Sequence, residues 1–148
     1  MKIIKATIDD IPELCNLLSF LFVQEAEFRP NQSLQSDGLR QIIDFPERGQ
    51  ILIFRKEASV IGMINLLFTI STVLGGRVAI LEDMVVHPNY RGRGVGSKLL
   101  RAAIDFAESA GCRRITLLTD QTNESAQRFY QRHSFTLSKM IPMRLVFD

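Results

Sequence analysis

The chain has 148 residues, of which 46% belong to the hydrophobic set and 23% are charged, and its formal net charge is +2. That length suits one compact domain, expected over residues 1–148, and the composition excludes a disordered chain. So small a charge lacks the strong basic excess by which nucleic-acid binders are read, so no nucleic-acid partner is expected.

The two cysteines, Cys15 and Cys112, show neither metal-ligand spacing nor a CxxC pattern, and both read as buried, reduced thiols. No metal is expected. The N-terminus runs directly into a strand-like segment and lacks the apolar core of a signal peptide. The most apolar stretch, residues 60–70, is too short to span a bilayer and contains Asn65. A cytoplasmic location with no membrane partner is the resulting expectation.

Residues 2–6 read as a strand. Asp10, Pro12 and Glu13 then suit a helix start, with Asp10 as cap and Glu13 at a capping-box-like spacing. Ile11, Leu14, Leu17, Leu18, Leu21 and Phe22 give that helix an apolar stripe. A polar loop at 29–31 and a second helix over 35–44 follow. Strands are expected at 50–55 and 59–70 across a turn at Lys56, Glu57 and Ala58, and at 77–86 after a hairpin at Gly75 and Gly76.

A glycine-rich loop at 91–96 leads into a helix over 97–110, which buries Leu99, Leu100, Ala103, Ile104 and Ala107 and stops at Gly111. Residues 114–119 form a strand and 123–132 a helix; 135–137 and 140–147 read as closing strands. The class is mixed α/β (α+β), with antiparallel hairpins before the glycine loop and about four helices around a mostly antiparallel sheet.

The segment with the most chemistry is the strand, tight loop and helix start around 81–97. A helix start offers free N–H groups and the positive end of the helix dipole, both of which favour an anion. Gly92, Gly94 and Gly96 let that anion come close, and Arg91 and Arg93 add charge. The loop reads as a phosphate cradle. The dinucleotide pattern G-x-G-x-x-G fails, since its last place falls on Ser97 or Leu99. The nucleotide-triphosphate loop fails as well, because Gly96, Ser97 and Lys98 stand in the wrong order, and no G-x-S-x-G elbow exists.

The loop does resemble the R/Q-x-x-G-x-G/A acyl-CoA loop of the GNAT superfamily, with Arg91, Gly94 and Gly96 at its fixed places and Val85, Val86, Pro88 and Tyr90 as its lead-in. Ala126, Phe129 and Tyr130, with Asn123 before them, resemble that family's later helix. The likeness covers residues 78–135; residues 1–77 match only in element order. One departure is Ser134, where the family commonly has glycine before Phe135.

The resemblance implies an N-acetyltransferase that moves the acetyl group of acetyl-CoA to a primary amine, of a small molecule or of a peptide or protein, by direct attack in a ternary complex. It implies that the backbone of Met84, Val85 and Val86 pairs with the pantetheine arm, that a β-bulge in strand 77–86 splays it from the next strand, and that Arg91, Gly92, Arg93, Gly94, Val95, Gly96 and Ser97 hold the pyrophosphate, with Asn123 also at the cofactor. A homodimer is compatible with it.

The chemistry asks for a base. Glu82 and Asp83 are neighbours on the lining strand, and successive strand residues face opposite ways, so one of them serves; Glu82 is preferred by analogy with the family. Tyr130 resembles the family's general acid. Each has a plainer reading: solvated carboxylates, a packed tyrosine, Asn123 as a helix cap. His87 and His133 have no metal-ligand company. The acidic residues Glu25 and Glu27 read as solvated surface. The alternative for the whole chain is a non-catalytic acyl-CoA-binding sensor or subunit.

Overall fold

A computed structural model describes residues 1–24 and 31–148, with the side chains of residues 23 and 24 outside the description. Glu25, Glu27, Arg29 and Pro30 therefore lie outside the described residues. Two compact units divide the chain, Met1–Leu118 and Thr119–Asp148.

The first unit carries a five-stranded sheet in the order β1-β2-β3-β4-β5. Its strands are β1 (Lys2–Lys5), β2 (Gly49–Lys56), β3 (Ser59–Ser71), β4 (Gly76–Val86) and β5 (Ile115–Leu117). The first four pair antiparallel; β5 joins β4 in parallel. Three helices accompany them: α1 (Ile11–Gln24), α2 (Gln32–Ile43) and α3 (Val95–Ser109).

Strand alternation sends the sheet's side chains to two faces. On one, Ile51, Ile53, Met63 and Val85 meet Leu14, Leu17 and Leu18 of α1 and Leu39 of α2 in one buried cluster. Gly62 lies on the other face, beneath α3. A Cβ there would come within 2.8 Å of Leu99 Cδ1 and 3.5 Å of Val95 Cγ1. Glycine is thus what lets the helix that follows the loop seat tightly on the sheet.

The start of α1 differs from expectation. A 3-10 turn, Ile8–Asp10, precedes it, and Asp10 reaches back to the Thr7 N–H at 2.8 Å. Asp10 is buried and also pairs with Arg55. Glu13 closes no capping box; its carboxylate accepts the Val60 N–H at 2.9 Å and ties α1 to the sheet. The second helix begins at Gln32, capped by Asn31, whose side chain accepts the Leu34 N–H at 3.2 Å. Both cysteines are free thiols, but Cys112 is half-buried rather than buried.

The second unit holds α4 (Glu124–Arg132). The closing strands expected at 135–137 and 140–147 do not form. An alternating apolar pattern states which face a strand would bury, but a strand also needs a partner for its backbone. Here Met140, Ile141, Met143, Leu145, Val146 and Phe147 are all exposed.

Ser134 lies in the left-handed region at φ 73°, the conformation that glycine supplies in the family pattern. A left-handed non-glycine residue costs about 1–2 kcal/mol, offset in part by glycine's greater freedom in the unfolded chain. Ser134→Gly is therefore expected to stabilise the protein by about 1 kcal/mol, read as a raised midpoint in thermal unfolding.

Candidate active site

The site begins where β4 leaves β5. Their pairing ends at Leu81 opposite Leu117. One residue further along, β4 carries a bulge. Asn65 of β3 pairs with Asp83 while its neighbour Leu66 pairs with Leu81, so Glu82 is the extra residue. Bulges bend a strand and interrupt its ladder. The expected bulge is present, and it falls where β5 pairing ends. Beyond it, β4 continues its pairing with β3 through Asp83, Met84, Val85 and Val86.

The His87 N–H donates to the Ile61 carbonyl at 2.9 Å. Alternation along an antiparallel strand then turns the backbone groups of Val86 and Met84 away from β3. Arg91 uses that direction: its Nε donates to the Val86 carbonyl at 3.0 Å. An arginine expected at the phosphates thus pins the loop to the end of the strand.

Glu82 and Asp83 sit just past the last β4–β5 pair. Glu82 is exposed as a residue, yet partial burial of its carboxyl, and then the charge of Asp83, raise its pKa above the ordinary value. Asp83 is half-buried. Loss of solvent pushes its carboxyl up, and a hydrogen bond from Asn65 Nδ2 at 3.0 Å holds it back. Asn65 itself is 2% exposed. Sequence reasoning used it only to break an apolar run; the available signal was an amide inside an otherwise apolar strand.

The loop follows. A short 3-10 turn, Pro88–Tyr90, leads into it, with His87 accepting the Asn89 N–H at 3.2 Å. His87 also packs edge-on against Phe20 and Tyr90. Gly92 and Gly94 are left-handed, at φ 72° and 81°, and a Cβ on either would meet open space.

Helix α3 starts at Val95, two residues earlier than the sequence suggests, so Val95, Gly96 and Ser97 form its first turn. No side chain caps it. Val95 is buried against the sheet, so its backbone N–H is the part that can face a ligand. Arg91, Arg93 and Lys98 are exposed around this turn. The arrangement offers backbone donors, a helix dipole and mobile positive charge to an anion.

In the second unit, Asn123 caps α4: its Oδ1 accepts the Ala126 N–H at 3.1 Å and the Ser125 hydroxyl at 3.2 Å. Tyr130 is half-buried and packs edge-on against Phe129 and Phe135, with centroids 5.2 and 5.6 Å away. Burial pushes its phenol up to about 12. His133 Nδ1 donates to the Phe129 carbonyl at 2.9 Å. Among the described residues no group of three or more His, Cys, Asp or Glu side chains could hold a metal ion, and no helix is long and apolar enough to cross a membrane.

A mixed sheet with a bulged strand leading to an arginine- and glycine-rich helix start is the arrangement of an acetyltransferase fold. The chain belongs to the Acetyltransferase (GNAT) family, which matches residues 11–135. It is 36% identical over 85 residues to a Bacillus subtilis protein named Uncharacterized N-acetyltransferase YhfO, covering 57% of each chain. It is 36% identical over 70 residues to N-alpha-acetyltransferase 30 of Schizosaccharomyces pombe, covering 47% of this chain and 45% of that one. The chain thus spans about half the length of the curated relatives it matches. Among solved structures, the integron cassette protein HFX_CASS3 from the Cole Harbour Salt Marsh metagenome has a TM-score of 0.85 at 25% identity, over 99% of this chain and 90% of that one.

Proposed function

We propose that this protein is an N-acetyltransferase that moves the acetyl group of acetyl-CoA to a primary amine by direct attack in a ternary complex. The observation that carries this reading is the coincidence at Glu82 of the bulge and the end of β4–β5 pairing, followed within one strand and one turn by an uncapped helix start. A thioester arm and an anionic tail ask for that combination.

The pantetheine arm lies along β4 at Met84, Val85 and Val86, and the pyrophosphate rests on Gly92, Arg93, Gly94, Val95, Gly96 and Ser97, with Arg91 holding the loop. Asn123 supports the cofactor end through its amide nitrogen, its oxygen being used in the cap. A strand N–H on this edge polarises the thioester carbonyl, as preorganised donors do at developing oxyanions.

Glu82 accepts a proton from the ammonium form of the acceptor. The free amine attacks the thioester carbon; the C–N bond forms and the C–S bond breaks. The second proton leaves the nitrogen and ends on the CoA thiolate. Tyr130 donates a hydrogen bond to the departing sulfur. Much of the acceleration comes from holding the two reactants together. The acceptor is an amine of a small molecule or of a peptide or protein; the fission-yeast relative's name places its action on an α-amino group.

CoA is expected to raise the thermal midpoint, because a ligand that binds only the native state stabilises it. Gly94→Ala serves as the control. Its left-handed φ costs the free protein about 1–2 kcal/mol, while the added Cβ stands where the phosphate must approach, so the CoA-dependent rise should fall by at least ~10-fold in apparent affinity, one lost hydrogen-bonded contact being worth roughly that much. No rise with CoA in the unaltered protein overturns the reading. CoA binding without thiol release from acetyl-CoA across amine classes would instead favour the non-catalytic binder.

A further inference from the structure

We propose that Asp83 is the anionic seat for the acceptor's ammonium group and that Asn65 is its positioning residue. The inference rests on the acetyltransferase reading and assigns the acceptor end of the same site.

The argument begins with a cost. Asn65 is almost fully buried, and its Oδ1 has no hydrogen-bond partner among the described residues. An orphaned buried acceptor is destabilising, because its lost hydration is not replaced. An apolar residue in the middle of β3 would avoid that penalty. The return on the amide is its other end, where Nδ2 donates to Asp83 Oδ2 at 3.0 Å. Because a carboxylate only accepts, this bond also fixes which way the amide points. Asn65 is therefore set for Asp83 rather than for its own packing. Buried polar groups left partly unsatisfied in native proteins tend to mark function.

The place agrees. Asn65 and Asp83 form the first rung after the bulge, immediately beyond the point where β4 parts from β5. They share the sheet face of Met63 and Val85, away from α3. Asn65 engages one carboxylate oxygen, and among the described residues the Asp83 carboxylate has no second protein partner. Among the described residues no ion pair is made by the Asp83 carboxylate.

A carboxylate held by a single N–H, half-buried and lacking a counter-ion, selects a group that brings both positive charge and N–H donors. An alkylammonium supplies both; a hydroxyl lacks the charge and a quaternary ammonium lacks the donors. Glu82, adjacent on the bulge, is then free to take the proton while Asp83 keeps the nitrogen in place. The site is divided by charge, with two carboxylates at the acceptor end and Arg91, Arg93 and Lys98 at the phosphate end.

The test uses the full chain saturated with CoA and methylammonium as the probe. Adding methylammonium is expected to shift the side-chain amide resonances of Asn65, whereas methanol and tetramethylammonium leave them in place. In steady-state assays with acetyl-CoA, Asn65→Leu and Asp83→Asn are each expected to raise the amine KM by ~10-fold or more, the size of one lost charge-assisted bond. The acetyl-CoA KM and the CoA-dependent thermal shift should stay as they were. A purely structural amide would alter stability and both KM values together. Unmoved Asn65 resonances in protein that does respond to CoA overturn this inference alone. Absence of any CoA response overturns the underlying reading instead.

Discussion

Glu82→Gln is expected to lower kcat/KM for the amine by about 10²–10⁴-fold, the usual contribution of a positioned general base. The variant should leave the CoA-dependent thermal shift intact, because Glu82 is the unpaired residue of the bulge and carries no β3 rung. The pH dependence supplies the sharper readout. Burial and the charge of Asp83 raise the Glu82 pKa. A raised carboxyl pKa means that the base form appears only as pH climbs through the raised value. Activity is therefore expected to fall on the acid side at a pH above the ordinary carboxylate range, and Glu82→Gln should remove that limb along with the rate. If the variant keeps both rate and limb, the proton goes elsewhere, to Asp83 or to a relayed water.

That outcome matters because sequence alone could not separate the two carboxylates. Strand alternation says that neighbours face opposite ways. A bulge breaks that rule locally, and its position depends on the pairing of two strands, which no periodicity in one strand reports. Glu82 and Asp83 could be named, but which of them is unpaired and which is held by an amide could not. Asn65 shows the same limit. Its meaning lies in a cross-strand rung, and along β3 it reads only as a polar interruption.

The elements governed by short-range physics were legible. The stripe of α1, the turn at Gly75, the end of α3 at Gly111 and the cap at Asn123 are all written in neighbouring residues, and the structure has each of them. Ser134 is a different case: the sequence marks only a departure at the family's glycine, and the left-handed angle comes from the structure. The sequence places the start of α3 two residues late because glycine argues against helix in the chain interior. In this loop Gly96 occupies a first turn, where close approach outweighs propensity. The closing strands failed for the opposite reason: residues 140–147 carry an apolar pattern that would suit a sheet, but pattern cannot create a partner for the backbone.

Tyr130→Phe is expected to lower kcat by about 10²-fold, toward the smaller end of general-acid effects, with CoA affinity unchanged. The geometry of α4 changes what this residue is asked to do. An ordinary phenol stands only about 1.5 pKa units above a thiol near ~8.5, close enough to pass a proton. Burial pushes Tyr130 up to about 12, and at that value complete transfer to a thiolate is strongly uphill. A hydrogen bond to the sulfur as charge develops needs no transfer and gains from the same loss of solvent. The proton that finally quenches the thiolate then comes from the nitrogen of the adduct. This predicts a pH signature. A phenol raised by burial stays protonated through the whole neutral and mildly alkaline range, so the deficit of Tyr130→Phe relative to the unaltered enzyme should be constant there. A deficit that vanishes as pH approaches ~10 would indicate an ordinary phenol that ionises. Equal losses in kcat and in CoA affinity would make Tyr130 part of the cofactor's seat and remove it from the chemical step.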